Sequence, residues 1–223
     1  NAMALYVRES AAKLNGPLKA ASFDFDQSRA PMLRIDYDQD NVPPNACINT
    51  TLTNQVFTSS NDAEETISNG SISLGGKSFD MRSTQINALR FPNINIEQGA
   101  TIVDATLTFV ARKVDTNSTT LSFQAEAIDD SPGLTSTARD ISDRSVTSES
   151  VNWTPPPFDT IGEQYTTVSL TPIIQEVVNR AGWDALNALT IIQSHVSGSK
   201  RRARTFNHDA VDAPILTIRV QGA

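Results

Sequence analysis

The stretch Ala100-Thr101-Ile102-Val103-Asp104-Ala105-Thr106-Leu107-Thr108-Phe109-Val110-Ala111 decides the fold class of this chain. Ala105, Leu107, Phe109 and Ala111 alternate with Asp104, Thr106 and Thr108, the period of a strand with one face in a core. Its Val, Ile, Thr and Phe residues also favour the pleated backbone, where branched and aromatic side chains pack well. The turn Glu97-Gln98-Gly99 introduces it. Working outward, Gln85-Ile86-Asn87-Ala88-Leu89-Arg90-Phe91 alternates in the same way and ends at Pro92, which has no amide to give to a ladder. Leu121–Ile128 and Tyr165–Leu170 are further runs, and 188–194, 201–206 and 214–220 complete the series. Gly, Pro, Asn and Asp fill the gaps between them.

One segment has a different period. Ile173, Ile174, Val177, Val178 and Ala181 fall at helical spacing, with Gln175, Glu176, Asn179 and Arg180 opposite. Thr171 is placed to cap this helix, Pro172 suits its first position, and Gly182 suits its C-terminal cap. Trp183 is then expected to fold back against the helix end. Many short strands with a single helix predict an all-β fold. The expected architecture is an antiparallel β-sandwich of the jelly-roll kind, with one short crossover α-helix around residues 172–181.

The two ends of the chain echo one another. Ala4-Leu5-Tyr6-Val7-Arg8-Glu9-Ser10, Ser22-Phe23 and Ala30-Pro31-Met32-Leu33-Arg34-Ile35 return as Ala188-Leu189-Thr190-Ile191-Ile192-Gln193-Ser194, Thr205-Phe206 and Ala213-Pro214-Ile215-Leu216-Thr217-Ile218. Phe23 and Phe206, Ala30 and Ala213, and Pro31 and Pro214 are each 183 positions apart. A repeat at that distance implies whole domains in tandem. Residues 1–3 read as a tag remnant and 4–37 as the C-terminal hairpin of a preceding repeat. Residues 38–54 read as a linker, and 55–221 as one complete jelly-roll module.

Composition narrows the function classes. The net charge of −7 and pI near 4.8 oppose a nucleic-acid partner. No apolar run has the length of a membrane span, so membrane insertion is not expected. The lone Cys47 excludes an internal disulfide and cysteine-based zinc sites. Abundant Ser, Thr and Asn with few Lys fit a secreted bacterial β-protein.

An ordered set of phrases carries a family resemblance. They are Ser59-Ser60-Asn61-Asp62-Ala63-Glu64-Glu65, Leu89-Arg90-Phe91, Gly99-Ala100-Thr101-Ile102 and Asn152-Trp153-Thr154. Ile174-Gln175-Glu176-Val177-Val178-Asn179-Arg180-Ala181-Gly182-Trp183 and Ala213-Pro214-Ile215-Leu216 follow. Together they resemble the DNRLRE-type, carbohydrate-binding-module-like jelly rolls of large bacterial surface and secreted proteins. The resemblance covers roughly residues 56–220. It implies a sandwich related to sugar-binding modules, often repeated as a spacer or adhesive unit, and it carries fold better than function.

Several residues are candidates for chemistry. Asp62, Glu64 and Glu65 cluster just before the expected first strand of the module, where jelly rolls often place a structural calcium ion. Hard carboxylate oxygens suit Ca2+, and Asp209 or Asp212 of the last hairpin loop would approach the same place. The alternative is a solvated acidic turn. Asp36-Tyr37-Asp38-Gln39-Asp40-Asn41 starts like an EF-hand loop but has Asn41 where Gly belongs and Cys47 where the bidentate Glu belongs. In Lys200-Arg201-Arg202-Ala203-Arg204, strand geometry puts Arg202 and Arg204 on one side, either to grip a carboxylated or sulfated polysaccharide or to pair with nearby acids. Trp153, before Pro155-Pro156-Pro157, is either a platform for a sugar ring or a lid on the core. His195 and His208 sit in no nucleophile or metal motif, and Asp129-Asp130 is an acid pair without further signature.

The expected function is a non-catalytic module of a multidomain bacterial cell-surface or secreted protein. Adhesion or spacing is its role, with a polysaccharide or cell-surface glycan and neighbouring modules of the same chain as partners. The alternative is a polysaccharide lyase or glycosidase on the same scaffold, with Arg202, Arg204 and Tyr165 lining an open groove. A third reading is an assembly module in which an exposed hairpin adds to the sheet of another copy.

Overall fold

Alternating side chains require two apolar faces to meet, and the computed structural model, which describes residues 49–222, shows how they do. The strands are β1 (Thr50–Gln55), β2 (Asp62–Thr66), β3 (Ser71–Ser73), β4 (Ser78–Met81), β5 (Gln85–Phe91) and β6 (Ile102–Val110). β7 (Thr119–Ala125), β8 (Val151–Trp153) and β9 (Gln164–Thr166) follow; then come the helix α1 (Thr171–Val178), β10 (Leu189–Gly198), β11 (Arg201–Arg204) and β12 (Ile215–Val220). All pairings are antiparallel. One sheet has the order β1-β12-β6-β9, a second β3-β2-β5-β10-β7-β8, and β4 pairs with β11 in a short third. The described residues form an all-β sandwich with one α-helix and a short 3-10 turn at Ala210–Asp212. Residues 1–3, read as a tag remnant, and 4–37, read as a hairpin, lie outside the described residues, as do the EF-hand-like stretch and Cys47.

The core is where the two large sheets face each other. Leu107 and Phe109 of β6 share one cluster with Leu89 and Phe91 of β5, Leu121 and Phe123 of β7, and Ile191 of β10. Each such side chain fully removed from water contributes roughly 1.5–3 kcal/mol. The six-stranded sheet is covered on its other face as well, where Ala63, Ala88 and Ile192 pack against Leu134 and Ile141 of the long segment after β7. Arg144 fastens that segment, its guanidinium reaching Glu126 at 2.7 Å and Asp140 at 3.1 Å.

Several local details depart from the sequence reading. All of β1 but Gln55 lies within the span read as linker, and β1 pairs with β12 along its whole length, Thr50 opposite Val220 and Gln55 opposite Ile215. The strand expected over Tyr165–Leu170 stops at Thr166, because the Thr167 hydroxyl accepts the Leu107 amide at 3.1 Å in place of a carbonyl. β7 stops at Ala125, where the Glu126 side chain turns to Ser131 and Arg144. Helix α1 begins one residue early. Its cap is Leu170 without a side-chain bond, and Thr171 instead pairs with the Ser169 hydroxyl at 2.9 Å. The helix ends at Asn179 rather than Gly182. Gly182 has another reason to be glycine, since a Cβ there would lie 2.1 Å from Asp129 Oδ2. Trp183 does fold back, buried and donating its indole N–H to the Ile96 carbonyl at 2.9 Å. Gln175 ties the helix to the sheet by accepting the Ile102 amide at 2.8 Å and donating to the Ala100 carbonyl at 2.9 Å.

Candidate functional site

Strand alternation sorts the basic run. Arg201 and Ala203 point inward, whereas Arg202 and Arg204 point outward. Arg201 is 1% exposed, and its guanidinium donates to the carbonyls of Asn117 at 2.6 Å, Lys200 at 2.9 Å, Pro156 at 3.2 Å and Pro155 at 3.3 Å. It also lies 5.5 Å from the Phe158 ring centroid. Burial pulls its pKa below the ordinary arginine value. Arg201 thus anchors the proline-rich segment, a role that the alternation rule exposes once the inward face of β11 is known.

On the outward face, Arg202 forms a two-pronged pair with Asp115, at 2.7 Å and 3.0 Å. Arg204 pairs with Asp212. Both thus have the acidic partners of the structural alternative. A third arginine joins them. Ala111 bridges Ala203, and the Arg112 amide donates to the Arg202 carbonyl at 2.8 Å, so Arg112, Arg202 and Arg204 share one face. His208 is exposed beside them, and its pKa is lowered first by desolvation and then by Arg204 and Arg112, against the opposing pull of Asp212 and Asp209.

The aromatic candidates serve the interior. Trp153 is 3% exposed, its ring centroid 6.3 Å from Phe109 and 6.2 Å from Phe123. No ring face is left for a sugar. Tyr165 stacks on Phe158 at 4.1 Å, and its hydroxyl donates to Asp159 at 3.0 Å. Burial, then that hydrogen bond, raises its pKa. Neither residue converges with Arg202 or Arg204 on an open groove.

The acidic candidates divide between two faces. They lie within β2 rather than ahead of the first strand, so alternation turns Asp62 and Glu64 one way and Glu65 the other. Fully buried Glu65 accepts the Ile141 and Ser142 amides at 3.1 Å and 2.8 Å, holding down the segment after β7, while its Oε1 has no partner among the described residues. Asp62 and Glu64 instead line a narrow cleft with Ser73, Gly76, Ser78 and Thr205. Asp62 accepts the Phe206 amide at 2.8 Å, and Glu64 accepts the Asp80 amide. Burial raises the two carboxyls to about 6 and about 7 respectively. Across the neighbouring strands, Glu64 stands opposite Asn87 and Asn87 opposite Gln193, with Asn87 donating to Gln193 at 2.7 Å. Among the described residues no group of three or more His, Cys, Asp or Glu side chains is arranged to hold a metal, so a cation would depend on these two carboxylates and neighbouring oxygens.

The histidines and the acid pair are also accounted for. His195 bonds the Ser199 carbonyl at 2.7 Å, Asp129 pairs with Arg180 at 2.6 Å, and Asp130 accepts the Ala188 amide at 2.8 Å. No helix among the described residues is long and apolar enough to cross a membrane. Compared with known proteins, the chain matches no family model and no curated sequence.

Proposed function

We propose that this chain is a non-catalytic module of the DNRLRE-type, jelly-roll kind, serving a secreted or cell-surface bacterial protein as an adhesive or spacing unit with glycan contact. The observation that supports this most is how the polar and aromatic side chains are employed. Arg202 is committed to Asp115, Tyr165 is packed under Phe158, and Trp153 fills the core. A lyase or glycosidase would need those side chains free and converging on substrate. The echo between the chain ends supports tandem modules as covalent neighbours.

A structural Ca2+ belongs to the same reading. Asp62 and Glu64 would hold it, with hydroxyl and carbonyl oxygens of the cleft completing the shell. Buried Asp62 and half-buried Glu64, with raised pKa values, would gain from a cation, because its charge would stand in for the hydration that burial removes. Incubation with a panel of soluble and insoluble polysaccharides tests the function. Retention without release of reducing or unsaturated ends is the expected result. Release at enzymatic rates overturns the non-catalytic assignment, and absence of retention on every polymer removes the glycan contact.

A further inference from the structure

One guanidinium on the arginine face has no carboxylate bound to it among the described residues, although Asp209 and Asp212 lie near. Arg202 and Arg204 have carboxylate partners, but the Arg112 guanidinium has neither a hydrogen bond nor an ion pair among the described residues, and its Nε is buried without an acceptor. The Nε of Arg204 and the Oδ1 of Asn207 are likewise buried and unpartnered. A half-buried guanidinium without an acceptor is costly, because its lost hydration is repaid only by hydrogen bonds or an opposite charge. This occurs in a chain of net charge −7, where a carboxylate partner was the easy solution. Gly162 borders the place. Its φ of +87° favours glycine, and a Cβ there would only touch Arg204 Nη2 at an ordinary 3.5 Å.

We propose that Arg112, Arg204 and His208 form a binding site for one carboxylate or sulfate group carried on an acidic polysaccharide. The site rests on the glycan contact proposed above and gives it a ligand class. Oxyanions match the planar donor fork of arginine, and two guanidinium groups beside an imidazole present several donors to the two oxygens of a carboxylate or the three terminal oxygens of a sulfate ester. Sugar carboxylates and sugar sulfates share this chemistry, so a uronate polymer and a sulfated polymer separate the two sources. Arg112 is the residue on which the site turns, since it has no side-chain partner to lose among the described residues.

The test uses the full chain and the variant R112Q. Titration with sulfate and with galacturonate, followed by NMR of the arginine Nε–H and His208 ring signals, reads the site itself. Retention on polygalacturonate, a sulfated glycan and neutral dextran reads the ligand class. Expected are shifts at Arg112, Arg204 and His208, a preference for the charged polymers, and at least a tenfold loss of affinity in R112Q without a fall in its melting temperature. The His208 pKa should rise in R112Q, because a neighbouring cation has gone. Absence of shifts with both small anions overturns the site. Small-anion binding without polymer retention overturns the glycan assignment and leaves the anion site. Equal retention of dextran, or R112Q binding as well as the parent, overturns the proposal even where glycan contact itself holds.

Discussion

Metal-free protein should lose stability as pH rises towards neutrality, and Asp62 should be a main cause. Its carboxyl moves from an ordinary value of 3.8 to about 6 because β2 and the β11–β12 connection enclose it. Glu64 moves from 4.5 to about 7 for the same reason. Both hold their protons more tightly folded than unfolded. Their contribution is therefore fully present below the unfolded values and is lost as pH rises through about 6 and 7. At about 1.4 kcal/mol per pKa unit, Asp62 alone accounts for about 3 kcal/mol between acid and neutral pH. D62N keeps an oxygen for the Phe206 amide but cannot ionise. In chelator near pH 7.5 it should be more stable than the parent by about 3 kcal/mol, roughly 6–12 °C in melting temperature for a chain of this size. Near pH 4 the two should coincide. Calcium should raise the parent's melting temperature near pH 7.5, do nothing near pH 4, and leave D62N unmoved. Urea and thermal unfolding across pH, with chelator and with calcium, provide the assay. Identical curves for parent and D62N in chelator at every pH would refute the burial argument, and a calcium-insensitive parent would dismiss the ion.

Other predictions follow from single contacts. R201L should cost about 3 kcal/mol or more in urea unfolding, because it strips partners from four buried or half-buried carbonyls. W153A should cost about 3–5 kcal/mol through the cavity left between Phe109 and Phe123, and the lost fluorescence should be blue-shifted emission from a buried indole. G182A should destabilise through the clash with Asp129, and D129A in the same chain should recover most of that loss. R202A should destabilise by about 2–3 kcal/mol, because Asp115, 9% exposed, is left without its two-pronged partner. All but the fluorescence are read from denaturant midpoints.

What was legible in the sequence was the periodic part. β5 and β6 follow the alternation of Gln85–Phe91 and Ile102–Val110, and the apolar stripe of α1 was visible for the same reason. β1 and β2 were obscured because Thr50–Gln55 lies on a solvated edge and Asp62–Thr66 carries acids where apolar residues are expected. The side that Asp62, Glu64 and Glu65 would face depends on pairing with β5, a long-range fact no local pattern contains. Arg112 carries no local signal, because it lies outside the basic run and reaches Arg202 and Arg204 only through the bridge at Ala111. The burial of Trp153 depends equally on partners far along the chain, Phe109 among them.

The pairing of Thr50 with Val220 has a mechanical consequence. Tension applied at the two ends of the sandwich meets β1 and β12 at the same corner and pulls them apart across their hydrogen bonds. The rungs then part in turn from Thr50 towards Gln55, rather than resisting together as they would in shear. Peeling off the six residues of β1 pays out roughly 20 Å of chain at about 3.3 Å each, while β12 stays fastened to β6. If the proposed spacing role holds, such a unit should yield early under load and recoil by re-pairing one strand, a soft link rather than a stiff one.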